Sequence, residues 1–122
     1  MYRYYIRFDA DNIGDKIEYN LLCGDLIKAQ EVHETIQESI KIIKNKITSS
    51  SKYVLLMSGC DDILIGTNIT NIAEIEEFTN NIRFSFQNSS NETLSAGIGE
   101  TIVDCLVNLR KAKTAGKNVT IK

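Results

Sequence analysis

Asp9, Asp61 and Asp62 are the residues of this chain whose type and placement can do chemistry: Asp9 ends an alternating apolar segment, and the other two adjoin in the polar interval Ser58-Gly59-Cys60-Asp61-Asp62 between apolar runs. Carboxylates gathered within a few ångströms repel one another and raise each other's pKa unless a divalent cation neutralises them. Magnesium suits such a group. It takes one or two carboxylates, keeps waters and accepts substrate phosphates, and two such ions can bracket the attacking and leaving oxygens of an in-line displacement. The chemistry implied is phosphoryl or nucleotidyl transfer with Mg²⁺ or Mn²⁺, two ions being possible. An Asp-Asp pair also has a simpler reading as turn former and solvated tip. The two readings part on whether Asp9 lies beside the pair.

Other chemistries have little material. His33, the sole histidine, lies in a helical pattern among Glu31, Glu34 and Gln37 and reads as a solvated helix position, so histidine triads and His-rich metal sites drop out. Cys23, Cys60 and Cys105 are widely spaced and form no CxxC pair, which signals neither a disulfide framework nor zinc; they read as reduced thiols. Sequons at Asn68, Asn88, Asn91 and Asn118 matter only in a secreted chain, and Met1 runs into Tyr2-Arg3-Tyr4-Tyr5 without a signal-peptide pattern. Fourteen Lys plus Arg against sixteen Asp plus Glu give a net charge of -2. No basic field is available to hold a nucleic-acid polymer or an anionic membrane. No apolar stretch approaches the roughly 20 residues of a membrane span, and a cytoplasmic location is expected.

The elements that must position the aspartates follow from periodicity. The 122 residues, 43% hydrophobic and 25% charged, predict a single domain over 1-122 with its own core. Tyr4, Ile6 and Phe8 alternate with Arg3, Tyr5, Arg7 and Asp9, the period of a strand with one buried face. From Asp11 to about Ser50 the pattern is helical, a short helix and a long one meeting near Cys23-Gly24-Asp25. In the long one Val32, Ile36, Ile40, Ile43 and Ile47 form one apolar stripe. Tyr53 to Met57 and Ile63 to Ile65 read as a hairpin, apolar on both parities and therefore expected to be central.

Asn71 with Glu74 resembles a capping box for a helix carrying Ile72, Ile75, Phe78 and Ile82, expected to end before Gln87. Leu94, Ala96 and Ile98 alternate with Ser95, Gly97 and Gly99, a strand with one nearly bare face that leaves room for something. Thr101 can cap a last helix with Ile102, Cys105, Leu109 and Ala112, Gly116 fits its C-terminal cap, and Val119 with Ile121 predicts a final strand. This order contains a split βαβ core. The predicted class is α+β: a ferredoxin-like βαββαβ core plus a C-terminal helix and strand, an antiparallel sheet with helices on one face and the other face open. In it Asp9, Asp61 and Asp62 converge at one end of the sheet.

Phe8-Asp9-Ala10-Asp11-Asn12-Ile13-Gly14 and Ser58-Gly59-Cys60-Asp61-Asp62 resemble the palm motifs of the CRISPR type III polymerase subunit, whose hairpin signature is GGDD; Cys60 stands at the second glycine. Ser95-Ala96-Gly97-Ile98-Gly99, then Ala112-Lys113 with Gly116-Lys117-Asn118, resemble the SxGI and AKxxGRN signature of GGDEF diguanylate cyclases. The resemblance spans nearly the whole chain. No zinc ribbon, HD nuclease or thumb fits in 122 residues, so the nearest likeness is to the stand-alone minimal CRISPR polymerases of prokaryotic antiviral defence, thought to make cyclic oligonucleotide signals.

That resemblance implies a palm domain with Asp9, Asp61 and Asp62 as catalytic acids and metal ligands, helped by the Ala10 carbonyl. It implies nucleotide binding by Asn12, Ile13 and Gly14, whose amides open a helix, by Ser58, Gly59 and Cys60, and by Lys113 and Lys117 on the β and γ phosphates. A helix N-terminus suits a triphosphate. The same lysines, four apart, could equally serve as cations at a helix C-terminus. Diguanylate cyclases read guanine with an Asn eight residues after the first Asp; Ile17 stands there, which speaks against guanine, and the ATP use of the CRISPR polymerases it resembles implies adenine as the base. A domain this small has one palm, so joining two ATP (or other NTP) molecules requires a homodimer, and the product requires a downstream effector. Three other readings stay open: a degenerate palm that senses a nucleotide without turnover, a class III-type cyclase making a cyclic mononucleotide, and a ferredoxin-like interaction module without a ligand.

Overall fold

The computed structural model describes all 122 residues. Along the chain run β1 (Tyr4–Ala10), α1 (Ile13–Leu22), α2 (Leu26–Thr48), β2 (Tyr53–Ser58), β3 (Asp62–Thr67), α3 (Ile72–Ser90), β4 (Leu94–Gly99), α4 (Ile102–Thr114) and β5 (Thr120–Ile121). They form one sheet in the order β2-β3-β1-β4-β5. The first four strands are antiparallel neighbours and β5 joins β4 in parallel. This is the α+β, ferredoxin-like strand arrangement that the order of periodicities predicts, with the added C-terminal helix and strand.

The core follows from the two periods. Ile6 and Phe8 of β1, Ile63 and Ile65 of β3, and Leu94, Ala96 and Ile98 of β4 turn one sheet face toward the stripes of α2 (Ile36, Ile40, Ile43, Ile47) and α3 (Ile75, Ile82, Phe86). Branched side chains on a pleated face pack well against such stripes. The helix ends are set by caps: Asp25 accepts from the Lys28 amide, Asn71 from those of Ala73 and Glu74, and Thr101 from that of Asp104.

Four expectations need correction. β2 is an edge strand, with Val54 43% and Met57 63% exposed and a register shift between Leu55 and Met57, so apolarity on both parities did not mean a central position. A bulge on an edge discourages further pairing. α3 continues through Gln87 to Ser90 because the Ser89 and Ser90 hydroxyls both bond the Phe86 carbonyl, and Asn91 at φ 61 then stops it. Asn71 caps alone, since Glu74 pairs with Lys52 instead of closing the box.

The largest correction concerns the second sheet face. The first three helices share one face as expected, but α4 covers part of the other, over β4. A Cβ added at Gly97 would lie 2.2 Å from the Leu109 nitrogen, and one at Gly99 2.3 Å from the Cys105 nitrogen. The bare face of β4 is therefore the seat of a helix backbone. Tyr5, Leu64 and Cys105 make a small second core there, and burial pushes the Cys105 thiol up to about 11, which leaves it unreactive.

Candidate active site

Strand pairing places the acids. Asp9 is opposite Asp62 in the β1–β3 register and opposite Ser95 in the β1–β4 register. Directly opposed residues share a face. The hairpin tip is held by two backbone bonds, Ala10 N–H to the Asp61 carbonyl and Gly59 N–H to the Asp62 carbonyl, each 2.9 Å. The outcome is that carboxylate oxygens of Asp9, Asp61 and Asp62 lie within 4.8 Å of one another. An interaction module with scattered acids does not have this geometry.

The cluster is not left to repel itself. Arg7, two residues before Asp9 and on the same strand face, pairs with Asp62. Asp61 joins no ion pair. Lys113 of α4 brings its ammonium to 3.1 Å from Asp9 Oδ2, 3.1 Å from the Ala10 carbonyl and 3.2 Å from the Asp9 carbonyl. Burial nevertheless pushes the Asp9 carboxyl above its ordinary pKa; Lys113 pulls it down, and Asp61 and Asp62 add to the rise. A carboxylate held short of full compensation is one that a cation would stabilise. The oxygen-only donor set and the ammonium already seated on two of its members fit Mg²⁺ or Mn²⁺.

Asp11 is the residue that local pattern did not single out. It is 1% exposed, and its carboxylate accepts from the Thr93 and Ser95 hydroxyls at 2.7 and 2.8 Å, the Asn118 amide at 3.1 Å and the Lys113 ammonium at 2.6 Å. Burial pushes its pKa up, but the bonds from Lys113, Thr93 and Ser95 outweigh that and hold it below the ordinary carboxylate value. Arg83, also buried, bonds the Leu94 carbonyl and, through Asn118 Oδ1 at 2.8 Å, the same loop. Arg7, Asp11 and Arg83 were absent from the sequence expectation. Arg7 and Asp11 each carry one local signal, a spacing of two from Asp9, and Arg83 carries none.

The remaining predicted residues lie around this centre. α4 ends at Thr114, so Lys113 and Lys117 do not share a helical side; Gly116, Lys117 and Asn118 take left-handed φ of 109°, 68° and 51° instead. That turn brings Lys117 onto the Asn12 side-chain oxygen. Asn12 itself is left-handed at φ 62 and gives α1 no side-chain cap, so the first-turn amides at Ile13 and Gly14 meet no side-chain acceptor. Ser58, Gly59 and Cys60 are exposed on the hairpin. Cys60 does not have positive φ, and its carbonyl accepts from Gln37 at 2.8 Å. A Cβ at Gly59 would sit 2.2 Å from Asp62 Oδ1, so the Asp62 side chain would have to move to admit one. A cavity of about 630 Å³ opens at Asp9 and Lys113 and runs along α4 past Val103, Leu106 and Arg110, room for a nucleotide.

No curated protein matches the chain. Among solved structures it is similar to a Csm1-Csm4 cassette crystallised with pppApA (TM-score 0.67, 20% identity, 95% of this chain and 20% of that one). It is also similar to the GGEEF domain of a diguanylate cyclase from Vibrio cholerae (TM-score 0.60, 18% identity, 97% and 80%). A third is the GGDEF domain of PA1120 from Pseudomonas aeruginosa (TM-score 0.71, 15% identity, 97% and 80%). The chain thus spans a fifth of the Csm1-Csm4 chain it matches. At 15 to 20% identity these likenesses speak for the fold alone, a palm. The family model of the minimal CRISPR polymerase domain matches residues 5–122, and with the palm and its acids in place, the chain belongs to that family.

Proposed function

We propose that this domain is a divalent-metal-dependent nucleotidyltransferase that joins ATP into a cyclic oligonucleotide signal, a cyclic dinucleotide in the simplest case, within prokaryotic antiviral defence. The observation that carries the reading is the approach of Asp9, Asp61 and Asp62 to within 4.8 Å beside the Lys113 ammonium. Asp9, Asp61 and the Ala10 carbonyl would hold Mg²⁺ or Mn²⁺, with Asp62 assisting from its pair with Arg7. When bound, the ion supplies charge neutralisation where the transferred phosphate gains negative charge.

The chain's own residues do the positioning. The amides opening α1 at Asn12, Ile13 and Gly14, together with Lys117, would face the triphosphate, and Lys113 would take its β and γ charge. Ser58, Gly59 and Cys60 would line the approach over the hairpin. In the reaction a ribose hydroxyl of one ATP attacks the α-phosphorus of the other. The bond to the β-phosphate oxygen breaks, pyrophosphate leaves and the hydroxyl proton is lost. Two ATP give pppApA and pyrophosphate by this step, the dinucleotide present in the Csm1-Csm4 structure. A second attack closes the ring. Two acceptor and donor sites call for two chains facing each other across a two-fold axis.

For the base, Ile17, in a groove between α1 and α2 that Leu21, Gln30, His33 and Glu34 also line, lacks the amide that diguanylate cyclases offer guanine at this position, and the CRISPR polymerases the chain resembles use ATP. This supports adenine. Incubating the protein with ATP, GTP, CTP and UTP plus Mg²⁺ or Mn²⁺, followed by mass spectrometry, tests the reading. A cyclic adenine oligonucleotide bears it out, a cyclic mononucleotide reassigns it to an intramolecular cyclase, and binding without turnover makes the palm a sensor.

A further inference from the structure

We infer that the Lys113 ammonium is a resident cation that closes the acid pocket to a free divalent ion, and that a nucleoside triphosphate opens it by drawing the ammonium onto its phosphates. This rests on Asp9 and Asp61 being metal ligands, and it adds an order of binding: the ion enters with the nucleotide.

The ammonium's surroundings are those of an ion in an oxygen cage. Four oxygens lie at 2.6 to 3.2 Å: Asp11 Oδ1, Asp9 Oδ2 and the carbonyls of Asp9 and Ala10. Lysine has only three N–H donors. With four acceptors it bonds them collectively, as a monovalent cation would. Two of the four, the Asp9 carboxylate and the Ala10 carbonyl, are the oxygens a divalent ion needs. Two cations sharing those oxygens in a half-buried pocket repel strongly, because little water screens them.

The device is anchored at one end and mobile at the other. Ala112 beside it is fully buried, so the Lys113 backbone is held by α4 packing on β4 and only the four-carbon stem moves. Asp11 holds its place through Thr93, Ser95 and Asn118 whether or not the lysine stays. The ammonium can therefore release Asp9 and Ala10 while keeping Asp11. Linkage then requires that nucleotide and ion each raise the other's affinity.

The test is a Mn²⁺ titration of the intact 122-residue chain without nucleotide, following the free aquo-ion by electron paramagnetic resonance. Lys113→Met and Lys113→Gln should bind Mn²⁺ about tenfold or more tightly than the native chain. Adding Asp9→Asn to either should abolish the gain. The Gln variant keeps a hydrogen bond for Asp11, which guards against loss of fold, checked by circular dichroism. In parallel, equilibrium dialysis with Mn²⁺ and a non-hydrolysable ATP analogue reports the ternary complex. If that complex forms in an Asp9-dependent way but folded Lys113 variants bind free Mn²⁺ no better than the native chain, the resident-cation inference is overturned and the metal reading stands. If no Asp9-dependent complex forms in any background, the metal reading fails and the inference fails with it.

Discussion

Asp9 and Asp62 are register partners across β1 and β3, yet they are neutralised by different cations: Asp62 by Arg7 from the same strand as Asp9, and Asp9 by Lys113 from α4. The strand-borne cation is fixed with the sheet, whereas the helix-borne one is on a flexible stem. The asymmetry leaves Asp61 as the unpaired acid and Asp9 as the one whose cation can move away.

Asp9→Ala and Asp61→Ala should each lose measurable product while the protein stays folded. The sign of the stability effect follows from Asp9's raised pKa. A carboxyl whose folded pKa lies above its unfolded one adds stability only at acid pH, and at neutral pH ionisation costs the fold. Asp9→Ala should therefore leave the melting temperature at pH 7 unchanged or raise it, as expected where a functional site is built at the expense of stability. Activity lost only in step with lost folding would show the acids to be structural.

Asp11 should behave in the opposite way. Its pKa is lowered in the fold, so its contribution is present above the ordinary carboxylate pKa and disappears as pH falls through the lowered value. Asp11→Ala removes the charge from a buried site that keeps the donors of Thr93, Ser95, Asn118 and Lys113, and should cost about 3 kcal/mol or more in urea unfolding at pH 7. Below about pH 4 the difference should narrow. A pH-independent difference would mean that packing, not charge, is what Asp11 supplies.

The two halves of the site differed in how far local pattern could reach them. Asp9 is near the end of a strand announced by alternation, Asp61 and Asp62 follow the turn between two apolar runs, and pairing those strands suffices to bring them together. Asp11 gets its role from Thr93, Ser95 and Asn118, which lie 82 to 107 residues away in sequence, and periodicity carries no such information. The glycines of β4 were legible as a bare face but not as a seat for α4, because the partner was a helix backbone rather than a set of side chains. For β2, apolar composition could not tell an edge from a centre, since both faces carry branched residues in either place.

At the hairpin the two turn residues should separate. Gly59→Ala puts a Cβ against Asp62 Oδ1, the end of a flexible side chain that can rotate aside, so stability should change little, while the displaced carboxylate should lower activity with little change in ATP binding. Cys60→Gly restores the second glycine of the GGDD pattern where no positive φ requires it, and should shift stability by less than about 0.5 kcal/mol with turnover retained. A large activation of Cys60→Gly would show that the thiol side chain obstructs the nucleotide.

For base choice, ATP should be consumed ahead of GTP, and Ile17→Asn should narrow the gap by giving a guanine edge its amide. Competition between the two triphosphates, read by mass spectrometry, measures both. Equal or faster turnover of GTP by the native chain would overturn the adenine assignment.

Lys117 offers the cleanest separation of phosphate binding from fold, because its backbone is strained and its side chain is at the site. It has φ 68 and reaches Asn12 beside the first turn of α1. A residue with a Cβ pays roughly 1 to 2 kcal/mol to sit in the left-handed region, and glycine does not. Lys117→Ala and Lys117→Gly should thus raise KM for ATP to a similar extent, mostly sparing kcat, since phosphate neutralisation already exists in the bound ground state. Their stabilities should diverge: the alanine keeps the strain, while the glycine should unfold at higher denaturant than the native chain, less the greater entropy of its unfolded state. Steady-state kinetics and urea melts give KM, kcat and an unfolding midpoint for each variant. Equal stability would mean that the turn is not strained at Lys117, and a fall in kcat at constant KM would place its ammonium on the transition state instead of the triphosphate.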